Sequence, residues 1–169
     1  MFSVGDLVVH PMHGAGVIHE IVQERIAGKT QTYYVFQMPV GGLRLLIPVA
    51  NSDAIGIRPI MSAEEAAAFM EEIPLLTVET DTNWNRRYRE NLERLKSGDL
   101  RQVARVIKSL MHRERRRSLS TGERKMLHAA RQVLLSELVL ASGGDYDEIA
   151  RQVDCAMMQE ACVGRMETS

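Results

Sequence analysis

The sequence predicts an α+β chain, with a small antiparallel β domain at the N-terminus followed by an all-α C-terminal domain. Three observations predict it. Runs rich in β-branched and aromatic residues recur before residue 60, each bounded by turn residues. From Ser62 the apolar period changes to the three-or-four spacing of packed helices. Charge then divides with the pattern. Residues 1–83 hold 4 Lys/Arg against 10 Asp/Glu, residues 84–131 hold 15 against 5, and residues 132–169 hold 2 against 7. A net of +10 between acidic flanks is hidden in a whole-chain charge of -1. Such a block is the electrostatic footprint expected of a phosphate-binding surface.

The strand runs are Leu7-Val8-Val9, Gly16 through Val22, Thr32 through Phe36 and Leu43 through Val49. His13-Gly14, Gly28-Lys29, Gly41-Gly42 and Asn51-Ser52-Asp53 separate them as turns. Four or five short strands within residues 1–60 imply a strongly bent sheet or partial barrel. Unless it closes, that sheet leaves an edge to which a partner strand can add.

Residues 61–82 read as a capped helix and a connector. Ser62-Ala63-Glu64-Glu65 is a capping box ahead of the helix formers Ala66 to Met70, and Pro74 ends the run. Residues 83–169 read as a helical domain of four elements. The first spans about Asn83 to Lys96 and stops at Gly98. The second starts after Asp99, with Gln102 in the capping position, and ends in Arg115-Arg116-Arg117. Ser120-Thr121-Gly122-Glu123 opens the third, which Gly143-Gly144 break. Asp145 begins the fourth, expected to reach about Cys162.

Composition narrows the function. With 169 residues, 45% hydrophobic and 25% charged, the chain matches a globular protein of one domain or two small ones. No apolar run is long enough to span a membrane, and Met1 leads straight into an alternating strand pattern rather than a secretory signal. The two cysteines, Cys155 and Cys162, are expected as free thiols in a reducing cytoplasm. His10, His13 and His19 lack the paired cysteines or matched carboxylate of a metal site, and neither a phosphate-cradling loop nor a nucleophile elbow occurs. The expectation is therefore a protein that is not an enzyme, with no cofactor, no metal and no small-molecule substrate.

The candidate site lies at Trp84, the only tryptophan, in the first turn of a helix and followed by Arg86, Arg87 and Arg89. Unpaired N–H groups and the positive dipole end of a helix start suit a phosphate backbone. An aromatic ring beside them can stack on an unpaired base or wedge at a junction. The same spacing admits a second possibility, because Trp84, Tyr88, Leu92 and Leu95 could form one core stripe. Arg113, Arg115, Arg116 and Arg117 could likewise be a solvated helix end, where cations are favourable. Arg124 and Lys125 are different: they occupy a first helical turn, where the macrodipole disfavours cations, and so hint at an external anion.

Three segments carry a resemblance. Val4-Gly5-Asp6-Leu7-Val8-Val9-His10-Pro11-Met12-His13-Gly14-Ala15-Gly16-Val17, then Thr82-Asn83-Trp84-Asn85-Arg86-Arg87-Tyr88-Arg89, then Leu119-Ser120-Thr121-Gly122-Glu123-Arg124-Lys125-Met126-Leu127 resemble the CarD family of bacterial RNA polymerase-binding transcription regulators. The likeness covers residues 1 to about 142. It implies a Tudor-like domain over residues 1–60 that binds the polymerase β subunit through its sheet edge, a module shared with transcription-repair coupling factors. It implies promoter DNA as the second partner, held by the helical domain. Trp84 would meet the minor groove at the upstream edge of the transcription bubble as a wedge. Arg86, Arg87, Arg89, Arg124 and Lys125 would hold the backbone nearby. If Arg86, Arg87 and Arg124 each neutralise one phosphate, log affinity should fall with log salt at a slope of roughly -2.7.

The sequence departs from the family at one point. Some members place an arginine in the strand before the proline at Pro48, where this chain has Leu46, with Arg44 two residues earlier and on the same face. The regions of Arg25 and Arg44 are the expected polymerase contacts. The segment from Gly143 onward matches poorly. A stand-alone nucleic-acid-binding module would use the same basic block and is separated from the regulator only by the resemblance.

Overall fold

The computed structural model describes residues 1–39, 42–78 and 83–159. Gly41 of the expected turn, residues 79–82 of the connector and the chain from 160, including Cys162, lie outside the described residues. The N-terminal half is one antiparallel sheet of β1 (Leu7–His10), β2 (Gly14–Ile26), β3 (Lys29–Gln37), β4 (Arg44–Pro48) and β5 (Arg58–Pro59). The strand order is β4-β3-β2-β1-β5. β4 thus forms one edge, and the two-residue β5, ending in Pro59, forms the other.

Alternation along the strands places Val8, Ile18, Tyr34, Phe36 and Ile47 on one face, buried with Met38 and Ile57. The Tyr34 hydroxyl accepts a hydrogen bond from the Phe2 N–H at 2.9 Å and ties the N-terminus to this core. Gly16 lets β2 pass beneath Phe36, since a Cβ there would fall 2.7 Å from the Phe36 ring and 2.6 Å from the Gln37 carbonyl. β2 and β3 run further than the sequence pattern reached. Beyond Val22 they form an exposed arm (Gln23, Glu24 and Arg25 opposite Thr32, Gln31 and Thr30), in which ladder pairing and the turn, not burial, hold the strands. The arm closes in a two-residue turn with positive φ at both Ala27 (54°) and Gly28 (79°).

After a short helix α1 (Ser52–Ile55), the chain passes β5 and enters α2 (Ala63–Glu72). The capping box forms in both directions: Ser62 Oγ accepts from the Glu65 N–H at 3.1 Å, and Glu65 accepts from the Ser62 N–H at 3.2 Å. α3 (Trp84–Lys96), α4 (Leu100–Arg116), α5 (Thr121–Ser142) and α6 (Tyr146–Met158) follow. Ala66, Phe69 and Ile73 bury in the same cluster as Ile107, Leu134 and Val153, so α2 packs as part of the helical layer. Asn83, Asp99, Ser120 and Asp145 each accept from a backbone N–H of the first turn; at Asp99 the donor is the Arg101 N–H rather than that of Gln102, the partner expected from the sequence. Gly143 ends α5 in the left-handed conformation, at φ 70°.

One buried charge was not legible in the pattern. Lys108 of α4 is fully buried, and its Nζ donates to the carbonyls of Ile73 (3.0 Å) and Pro74 (2.9 Å). It holds the turn that follows α2 through charge-assisted bonds to carbonyls at a helix end.

Candidate nucleic-acid interface

Two helix starts meet at the predicted site. Asn83 caps α3 by accepting from the Arg86 N–H at 3.0 Å, and Ser120 caps α5 by accepting from the Glu123 N–H at 3.2 Å. Trp84, the first residue of α3, lies against the start of α5. Its Nε1–H reaches both Ser120 Oγ at 3.3 Å and Glu123 Oε1 at 3.2 Å. Its ring stacks on Tyr88 one turn later, with centroids 4.9 Å apart and 15° between planes. Tyr88 packs over Gly122, where a Cβ would come within 3.3 Å of the phenol ring.

The Trp84 stripe divides between interior and surface. Tyr88, Leu92 and Leu95 pack against Val106, Leu110, Leu119 and Met126, as a core stripe should. Trp84 does not follow them inside, and is 43% exposed. Its one polar atom is engaged internally while much of its ring faces solvent.

Glu123 organises the arrangement. It is almost fully buried, and besides the indole it accepts from Arg87, with Nε to Oε2 at 3.1 Å and Nη2 to Oε1 at 3.4 Å. Burial alone would raise its pKa. The hydrogen bond and charge of Arg87, a backbone hydrogen bond from Ser120 and the nearby charge of Arg113 outweigh that and hold the carboxyl below its usual range. Glu123 is therefore ionised at neutral pH. The sequence marked it only as a cap residue; it turns instead toward α3, from a position 36 residues after Arg87.

The predicted cations divide. Arg87 is buried in the Glu123 pair and presents no guanidinium face to solvent. Arg86 and Arg89 on α3 and Arg124 and Lys125 on α5 are exposed. Arg124 folds back on the helix start, donating from Nε (3.2 Å) and Nη2 (3.1 Å) to the Leu119 carbonyl. Arg115, Arg116 and Arg117 are exposed at the end of α4, as a solvated helix end would be. Elsewhere in the basic block, Arg101 pairs with Glu72, Arg131 pairs with Asp154 and Lys108 is buried. The +10 of the sequence thus overstates the charge available to a ligand.

Arg25 and Arg44 are not brought together. Their partners on β3, Thr30 and Gln37, are seven residues apart, or about 23 Å along an extended strand. Arg25 lies on the exposed arm, and Arg44 lies on the β4 edge beside Leu46, which is 53% exposed on the same face. His10 and His13 approach to 4.6 Å between ring centroids, without a third metal-ligating side chain among the described residues. Among the described residues no helix is long and apolar enough to cross a membrane.

Comparison with known proteins agrees with both halves of the molecule. Residues 2–61 match the family model of the CarD-like/TRCF RID domain, and residues 73–154 match that of the CarD C-terminal domain. The chain is also 32% identical over 143 residues to a Bacillus subtilis (strain 168) protein named "Putative transcription factor YdeB", spanning 85% of this chain and 94% of that protein. Sheet, helical layer and both matched domains occur in the same order, and the chain belongs to the CarD family of transcription regulators.

Proposed function

We propose that this regulator binds RNA polymerase through the β4 edge of its sheet, on the β subunit, and stabilises the open promoter complex by placing Trp84 at the upstream edge of the bubble. The observation that carries the reading is the half-exposed Trp84 ring, fixed in orientation by Glu123, Ser120 and Tyr88 between two helix starts. A ring held this way can occupy an unstacked step without losing side-chain entropy on binding. Arg86, Arg89, Arg124 and Lys125 are the proposed phosphate contacts. Arg87 acts one step back, as the partner that keeps Glu123 ionised beneath the indole.

The mechanism is linkage. A protein with higher affinity for open than for closed promoter shifts that equilibrium by the difference, with no chemical step and no nucleotide consumed. Tethering through the sheet makes the DNA contact intramolecular, so weak intrinsic affinity suffices. Because the indole N–H is engaged within the protein, Trp84 offers a base its ring and no hydrogen bond. Recognition then depends on the shape and deformability of the junction more than on base edges. The setting is the bacterial cytoplasm, where polymerase and promoter are found together.

The test is the lifetime of promoter open complexes on purified bacterial polymerase with wild-type protein, with Trp84→Ala and with neither. Longer lifetime with wild type and not with a folded Trp84→Ala supports the wedge. No change with wild type, despite confirmed polymerase binding, refutes it; DNA binding without polymerase binding identifies a stand-alone nucleic-acid module instead.

A further inference from the structure

The sheet and the helical layer are joined by polar contacts of a directional kind, centred on α5. Glu137 is fully buried, and both its oxygens are taken by the Arg58 guanidinium of β5, at 2.7 and 2.9 Å. Its Oε2 also accepts from the Met61 N–H at 3.1 Å. One carboxylate thus holds the last strand of the sheet and the first residues of the crossing to α2. One position earlier on α5, the fully buried Ser136 accepts from the Ala15 N–H at 2.9 Å and donates to the Val133 carbonyl at 2.8 Å. Gly14 permits this approach: a Cβ there would overlap Ser136 Oγ and lie 3.2 Å from the Val133 Cα.

An apolar contact between domains tolerates sliding, whereas a two-pronged guanidinium–carboxylate pair fixes distance and angle together. That pair lies at β5, and the single Ala15–Ser136 hydrogen bond adds a second anchor at the start of β2. Both sit on the helix whose first five residues include Glu123, Arg124 and Lys125. We propose that Gly14, Ser136, Glu137 and Arg58 form a lock that holds the β4 edge at a fixed distance and orientation from Trp84. They act as positioning residues, and the protein spans its two partners as a rigid gauge. This rests on the two-partner reading above. A flexible tether spreads the second contact over a large volume, whereas a rigid one concentrates it at a single place.

The test uses the full chain with Cys155 and Cys162 replaced by serine and spin labels at the exposed positions 30 and 152, one on the β arm and one on α6. The wild-type background should give a single narrow distance distribution. Glu137→Gln combined with Ser136→Ala should broaden it while circular dichroism stays native. Separately measured affinities for polymerase and for promoter DNA should change by less than about twofold, but the lengthening of open-complex lifetime should fall at least about threefold. Ser136→Ala alone, which removes the Ala15 bond together with the hydroxyl's bond to the Val133 carbonyl but leaves the Arg58–Glu137 pair, should show the same effects in smaller measure and serves if the double variant does not fold. An unbroadened distribution overturns the lock, and a broadened one with undiminished lifetime overturns its role. If wild type itself leaves lifetime unchanged while its distance is narrow, the two-partner function has failed, and with it the role given to the lock.

Discussion

Replacing Glu123 by glutamine removes one charge and almost no volume, and its effect follows from the burial of the pair. The Arg87 and Glu123 side chains are 8% and 2% exposed. Removing one partner of a buried pair costs about 3–5 kcal/mol, since the other charge stays desolvated. Glutamine keeps one acceptor oxygen, so the lower end, about 3 kcal/mol, is expected. Its amide NH2 must then face either the indole N–H or a guanidinium N–H, both donors. For a chain of this length, about 2–4 °C per kcal/mol gives a melting temperature lower by about 6–12 °C, read by calorimetry. A cycle with Arg87→Met and Glu123→Leu isolates the pair, and the double variant should recover much of what either single change loses. The same carboxyl sets a pH dependence. Its folded pKa lies below the unfolded value near 4.3, so its stabilisation is complete above that value and is lost as pH falls through the folded pKa. Glu123→Gln should flatten that acid limb. A loss under about 1 kcal/mol, or a strictly additive cycle, would refute the role given to Glu123.

Other consequences are equally direct. Ala27 adopts φ 54° in a turn that favours Asn or Gly, so Ala27→Asn should stabilise by about 1 kcal/mol, seen as a higher urea midpoint at constant m. Burial and the neighbouring His13 push the His10 pKa down to about 4. Stability should therefore decline as pH falls from the ordinary histidine value near 6.5 toward 4, less so in His10→Gln, and an NMR titration of the ring should give the low midpoint directly. With Arg86, Arg89, Arg124 and Lys125 as phosphate contacts, the slope of log affinity against log salt should be roughly -3.6, reduced by about one with each charge removed. Arg87→Met should instead cost stability; a change in salt slope at unchanged melting temperature would return it to the DNA surface.

The fold class was legible because strand and helix carry different apolar periods, and the breakpoints fell at residues with local chemistry: Ser62, Asn83, Asp99, Ser120, Asp145 and Gly143. What escaped was what burial does not mark. The outer halves of β2 and β3 are polar on both faces, and their length is set by ladder pairing down to Ala27-Gly28. β5 is only two residues long, too short for any pattern. Lys108 counts toward the basic block, because a sequence shows that a side chain is charged and not which carbonyls lie within its reach.

The site escaped for a different reason. Arg87 stands at the position where a phosphate contact would be expected, and only its pairing with a residue 36 positions away assigns it to the interior. Glu123 gives its N–H to the Ser120 cap, neutralises Arg87 and fixes the indole, tasks that tie α5 to α3. A glutamate beside two cations at a helix start reads in sequence as surface charge balance. Folded, its buried negative charge pairs with Arg87 at the junction of the two helix starts and offsets the positive end of α5. Electrostatic cost is thereby offset inside the protein. Neutralising Glu123 should accordingly disturb the orientation of Trp84 before it changes the charge of the surface, and tryptophan fluorescence anisotropy at native temperature should register the loosened ring ahead of any change in salt slope.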